Sequence, residues 1–317
     1  MPTYIPIWRD TFVDLGAVDV ATFTVTLDSD QSVLYSGKAV RRPDEATLTV
    51  RVNDIVADLL GRDLLALDDP FTGYGAFTAA VTVSGNGVTE QLTFINDWSY
   101  DRSKTYGDTF ILSDPINGLV DGRQTLAVSG VFGGTEQAVF AKTDGTTASA
   151  AVGITGAGTY RVNLSTVADL AAVTVGGRTW RVEGSCRTWV LHYINAYGGW
   201  DSLLIRGGGK QVDQITRYEH RRSYDNTEAV SRGRVNYLND ITTRWELHSG
   251  WLSDDESGRV RELVNSILVY LEDVSAGVTL PVVIADTSCE VKTYQNQGRR
   301  MVDYTFTAEL AADRYRK

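Results

Sequence analysis

The strongest constraint on this chain is a period of two in its apolar residues, interrupted again and again by glycine. Phe23, Val25 and Leu27 alternate with polar neighbours, and Leu48, Val50 and Val52 repeat the pattern. Side chains in a strand point alternately to opposite faces, so this spacing predicts strands with one buried face. A hairpin follows from Phe77 to Val83 and Val88 to Ile95, turning at Gly85-Asn86-Gly87. Further short strands are expected at Leu126/Val128, Ala138/Phe140, Tyr160/Val162/Leu164, Val173/Val175 and Trp180/Val182. Asp144-Gly145 and Gly176-Gly177 supply turns between them. Abundant Gly (30) and scarce Pro (6) fit strands joined by glycine turns.

Two helices interrupt the pattern. Asn53 or Asp54 is positioned to cap a short one carrying Ile55, Val56, Leu59 and Leu60, with Gly61 expected to end it. The second opens on Ser253-Asp254-Asp255-Glu256, a capping box, and continues in the stripe Val260, Leu263, Val264, Ile267 and Leu268. Its expected span is 254–268. The turn formers Ser113-Asp114-Pro115-Ile116-Asn117-Gly118 mark one boundary. From Cys186 to Ile194 the chain is apolar on both alternating faces, as in a strand covered on both sides. Three domains are expected: a β-rich, sandwich-like 1–115, a small immunoglobulin-like 116–185, and a β domain with one capped helix over 186–317. Strands are also expected at Val269–Leu271, Pro281–Ala285, Cys289–Tyr294 and Val302–Leu310.

Function is narrowed mainly by exclusion. The net charge is −10, so a phosphate backbone is not an expected ligand. The acidity is concentrated in 1–185, with 13 Lys+Arg against 22 Asp+Glu; 186–317 holds 17 against 18. His192, His220 and His248 are scattered and without metal-ligand spacing, and Cys186 and Cys289 form no paired motif. Gly207-Gly208-Gly209-Lys210 departs from a phosphate loop twice, with Leu204 where the first glycine belongs and Gln211 after the lysine; a flexible turn is expected. Gly153-Ile-Thr-Gly156-Ala-Gly158 lacks a following helix and is another turn. No nucleophile elbow occurs, and the acidic cluster at Asp254 is accounted for by helix capping. No catalysis, cofactor or metal is expected. The start carries no basic segment followed by an apolar run, and no apolar stretch is long enough to span a bilayer. A soluble protein made in a cytoplasm, with Cys186 and Cys289 as two buried thiols rather than a disulfide, is the expectation.

Two segments stand out as interaction candidates. Tyr193, Tyr197 and Trp200 cluster around Gly198-Gly199, either as an aromatic ledge for a sugar or partner, or as core with a glycine turn. Residues 206–243 are polar with few apolar anchors and predict a long arm or extended hairpin, in which Arg217, Tyr218, Arg221 and Arg222 are candidate contacts.

Tyr193-Ile-Asn-Ala-Tyr-Gly-Gly-Trp-Asp-Ser202, Trp245 to Glu256, Pro281 to Ser288 and the opening Pro6-Ile-Trp-Arg-Asp10 resemble runs in uncharacterised tail-associated proteins of phages and prophages of Bacteroidetes-type bacteria. The order strand, capped helix, strand, long strands over 245–310 is also similar to the tail-tube fold, which tail-tube and distal-tail ring proteins share. The resemblance implies a tail-tube-like third domain and a virion structural protein, a distal-tail or baseplate-hub-like ring component. It further implies assembly in the host cytoplasm, a hexameric ring of self, and tube, tip or hub proteins as neighbours. The arm would then join subunits or line the lumen. The extra domains ahead of 186 favour the distal-tail position over the repeating tube. The alternative is a lectin-like virion protein that uses Trp200 on a host surface glycan.

Overall fold

The computed structural model describes residues 4–65, 77–107, 109–113, 119–120, 125–134, 136–152, 156–164, 167–183, 189–221, 234–286, 301–312 and 314–316. The protein is mainly β, with several sheets and two helices among the described residues. It gathers into two compact units, one of Met1–Gly184 with His192–Ser202, the other of Ser185–Leu191 with Leu203–Lys317.

Among the described residues unit 1 contains two buried apolar clusters. The first forms on a five-stranded sheet, ordered Tyr4–Pro6, Val88–Ile95, Thr78–Gly85, Val20–Leu27, Val33–Val40. Phe23, Val25, Val81, Val83 and Phe94 line its buried face, as the alternation requires. The hairpin turns at Asn86 (φ 49°) and Gly87 (φ 78°), consecutive left-handed residues whose twist matches the flanking strands. Helix α1 spans Asn53–Leu65 and buries Val56 and Leu60 against this sheet's core. Gly61 does not end it. A glycine inside a helix costs only about 1 kcal/mol, and Gly61 does not adopt the left-handed conformation by which a glycine commonly ends one.

The second cluster draws on two further sheets. One is ordered Gly156–Asn163, Thr125–Phe132, Phe110–Ile111; the other Thr147–Val152, Glu136–Lys142, Leu170–Val175, Arg178–Glu183, Leu119–Val120. Leu126, Val128 and Val162 from the first meet Phe140, Val173, Val175 and Trp180 from the second in one core. Gly145 and the Gly176-Gly177 pair all have positive φ at the expected turns. The Phe110 ring packs against Tyr4 at 5.3 Å and against Tyr106 at 4.9 Å.

Unit 2 is built on antiparallel strands in the order Val269–Asp273, Val278–Ile284, Thr305–Leu310, Arg234–His248, Gly208–Arg221. Strands Trp189–Ile194 and Trp200–Leu204 have residues in both units. Trp245, Leu247, Phe306, Ala308 and Val282 are buried. Helix α2, Asp254–Asn265, carries the expected capping box: Ser253 Oγ accepts from Glu256 N at 3.3 Å, and Glu256 Oε2 accepts from Ser253 N at 2.8 Å. The other carboxylate oxygen, Oε1, accepts from both terminal nitrogens of Arg206 at 3.3 Å, so one glutamate ties the helix start to the chain before the arm. The helix is shorter than the expected 254–268. It stops at Asn265 because Ser266 leaves helical dihedrals (ψ 137°) and hydrogen-bonds Leu268 through its hydroxyl. Ile267, expected on the buried stripe, is consequently 61% exposed. The expected strand Cys289–Tyr294 and both cysteines lie outside the described residues.

Ser253→Ala removes one half of the capping box and is expected to destabilise unit 2 by about 1 kcal/mol. Urea unfolding followed by far-ultraviolet circular dichroism measures it.

Candidate interaction surfaces

The aromatic segment is core, not ledge. Trp200 is 1% exposed and Tyr193 equally buried. The reason is a dense set of backbone contacts within unit 1. Trp200 N donates to Ser129 Oγ (2.9 Å), and Trp200 O accepts from Ser113 Oγ (2.5 Å). A side chain at Gly199 would collide with Leu112, its Cβ falling 2.6 Å from Leu112 Cβ. Gly198 (φ 80°) has the Asn96 carbonyl at 2.6 Å from where a Cβ would stand. Asn195 organises the turn. Its amide nitrogen donates to Leu112 O and Asp201 Oδ2, both at 2.9 Å, and its Oδ1 accepts from Tyr197 N (3.0 Å) and Gly199 N (2.9 Å). Trp200 is therefore withdrawn as a glycan contact. Tyr197 is half-buried, with the Lys104 ammonium 3.1 Å from its ring centroid.

His192 is buried and its Nδ1 pairs with Ser202 Oγ at 2.8 Å. Among the described residues no group of three or more histidine, cysteine, aspartate or glutamate side chains could hold a metal ion, and no helix is long and apolar enough to cross a membrane. The phenol of Tyr106 donates to Asp97 Oδ2. Burial first, then that hydrogen bond and the negative charge of Asp97, push its pKa well above the ordinary 10.0.

The arm is a hairpin. Gly208–Arg221 runs antiparallel to Arg234–His248, with Gly208 opposite His248 and Ile215 opposite Ile241, and a bulge after Tyr218. Gly207-Gly208-Gly209 is not a flexible turn but the close-packed root of this hairpin. A Cβ at Gly209 would fall 2.6 Å from both the Glu246 carbonyl and the Trp189 ring. Gly208 itself needs φ 95°, a conformation few other residues adopt. Lys210 and Glu246 face each other across the strands at 2.7 Å, and this hydrogen bond, then the lysine charge, lowers the Glu246 pKa.

Beyond that root every residue from 211 to 221 is exposed. Among the described residues Gly208–Arg221 is the last strand of its sheet, paired on one side only. Its outer edge presents backbone donors and acceptors, flanked by Val212 (46% exposed), Ile215 and Tyr218. Arg217 and Arg221 project from the same face as Ile215, while Tyr218 is on the other, 6.3 Å from Tyr237. Neither arginine has an ion-pair partner among the described residues, although Glu219 pairs with Arg234 at 2.8 Å. Arg222 lies outside the described residues. The structure thus groups Arg217, Tyr218 and Arg221 on one strand of unit 2 and leaves Tyr197 and Trp200 in unit 1.

Comparison with protein-family models finds no match, and comparison with curated proteins finds no similar sequence.

Asn195→Ala is expected to destabilise unit 1 by about 3 kcal/mol, since it orphans buried groups costing roughly 1–3 kcal/mol each; chemical denaturation reads this. A raised tyrosine pKa contributes stability that is complete below the unfolded value and lost as pH climbs past it. Stability should therefore fall above about pH 10, and less steeply in Tyr106→Phe, as thermal unfolding across an alkaline series shows.

Proposed function

We propose that the protein is a structural component of a phage tail, a distal-tail or baseplate-hub-like part that assembles as an oligomeric ring and performs no reaction. The observation that carries this is the edge strand Gly208–Arg221, exposed along residues 211–221 and, among the described residues, paired on one side only. The inner strand Arg234–His248 is also paired with Thr305–Leu310 and Arg314–Arg316, so the unpaired edge is that of Gly208–Arg221, and a long apolar-flanked edge invites another strand. Adding a strand from a neighbouring subunit would satisfy its backbone and cover Val212, Ile215 and Tyr218. Repetition of one such head-to-tail contact closes into a ring.

Charge supports a second copy as the neighbour. Residues 206–245 hold eight Lys+Arg against five Asp+Glu, on a chain whose net charge is −10. A basic arm meeting an acidic body favours association between copies, and does so less in high salt. The resemblance of 245–310 to the tail-tube fold agrees with the ring. Receptor binding through Trp200, the rival reading, loses its anchor to burial.

Light scattering behind a sizing column tests this. The expected mass is about six times 34.7 kDa, falling to one chain's mass when Val212→Lys and Tyr218→Lys place charge on the edge strand. A wild-type chain that stays monomeric at every concentration would sink self-assembly, and an oligomer indifferent to the two lysines would move the joint elsewhere.

A further inference from the structure

A second surface, wholly within unit 1, has chemistry of a different kind. Trp8, Arg9, Asp10, Tyr100 and Arg102 line an open cleft of about 610 Å³. Two loops build it. The strand Tyr4–Pro6 pairs in parallel with Thr93–Ile95, which brings the turn after Pro6 beside the chain leaving Ile95. Arg9 N donates to Pro6 O (3.0 Å), closing that turn, and Ile7 N donates to Ile95 O (3.0 Å). On the other side Asp97 Oδ1 accepts from Ser99 N (2.7 Å), Ser99 Oγ from Asp101 N (3.2 Å), and Asp101 Oδ1 from Ser103 N (2.9 Å). Between these bonds Tyr100 is held at φ 58°, which is rare for a bulky side chain, and the residue remains 66% exposed.

The lining combines three chemistries. The Trp8 and Tyr100 rings lie 5.7 Å apart, tilted 37°, a splayed apolar shelf. Arg9 stands 5.6 Å from the Trp8 ring centre, and neither Arg9 nor Arg102 has a carboxylate partner among the described residues. Asp10, which also lines the cleft, is paired with Arg51 through one carboxylate oxygen at 2.8 Å, and a carboxylate has acceptor capacity beyond that one pair.

We infer that this cleft binds an acidic saccharide, one whose sugar ring carries a carboxylate. The apolar C–H face of a pyranose would stack on Trp8 and Tyr100, whose tilt suits a puckered ring better than a flat base. Arg9 and Arg102 would take the carboxylate, a planar anion matched to the guanidinium fork. Asp10 would accept hydrogen bonds from sugar hydroxyls, and it disfavours a polyphosphate in the same space. Unit 1 alone carries this site, so it stands or falls separately from assembly through the arm.

Tryptophan fluorescence and titration calorimetry on the full chain test it, with hyaluronan tetrasaccharide and tetragalacturonate as probes. Cellotetraose serves as the neutral control and tetraglutamate as the anionic peptide control. At least one acidic sugar should bind, more weakly in high salt, with cellotetraose weaker by about tenfold or more for want of the charge-assisted pair. Arg9→Gln and Arg102→Gln should each weaken binding about tenfold, as should Tyr100→Ala, while Trp251→Ala in unit 2 leaves it unchanged. The exposed arginines are chosen because their replacement leaves the core intact. Absence of binding by both acidic sugars at millimolar concentration would overturn the inference. So would equal binding of cellotetraose or tetraglutamate, or an Arg9→Gln/Arg102→Gln double variant that binds like wild type.

Discussion

Register governs this molecule. In strands such as Val20–Leu27, Thr78–Gly85 and Thr305–Leu310 one alternate set of side chains is buried, so a strand slipped by a single residue would exchange its core face for its solvent face. For the pair Thr78–Gly85 and Val88–Ile95 that exchange would expose Val81, Val83 and Phe94, at roughly 1.5–3 kcal/mol for each side chain. The turn at Asn86-Gly87 pins that register locally through its two left-handed residues. Elsewhere side chains pin it at long range, as when Ser113 and Ser129 clasp both backbone groups of Trp200.

The same constraint explains where the protein is open to others. Other edge strands, such as Val33–Val40, keep part of one face on a buried cluster. Among the described residues Gly208–Arg221 has one neighbour and every side chain from 211 to 221 is exposed, so its backbone and its apolar side chains are both unspent. The cleft at Trp8 and Tyr100 arises differently. It is a place where two loops are fixed tightly by their own hydrogen bonds, yet leave Tyr100 exposed beside a half-buried Trp8. A surface for assembly and a surface for a small acidic ligand therefore rest on separate physical features.

Glycine acts in two ways that look identical in the sequence. Gly87, Gly145 and Gly177 permit positive φ at exposed turns, where nothing lies near a would-be Cβ. Gly199 and Gly209 are required by close approach, to Leu112 and to Glu246 with Trp189. Gly61 does neither, and the helix passes through it. Only neighbours brought in by the fold separate these cases.

Local signals carried far in this chain. The alternation at Phe23–Leu27, the hairpin at Asn86-Gly87, the capping box at Ser253–Glu256 and the polar texture of the arm each depend on residues a few positions apart, and each is found in the structure. Such features are set by backbone geometry and nearby side chains, so the sequence alone determines them. Tertiary structure decided the rest: that Trp200 is core, that α2 stops before Ile267, that the triple glycine roots a strand, and that Trp8 meets Tyr100. Burial and proximity of this kind come from pairings between segments distant in the chain, such as Tyr4–Pro6 with Thr93–Ile95. Composition and spacing within either segment say nothing about what the other will place beside it.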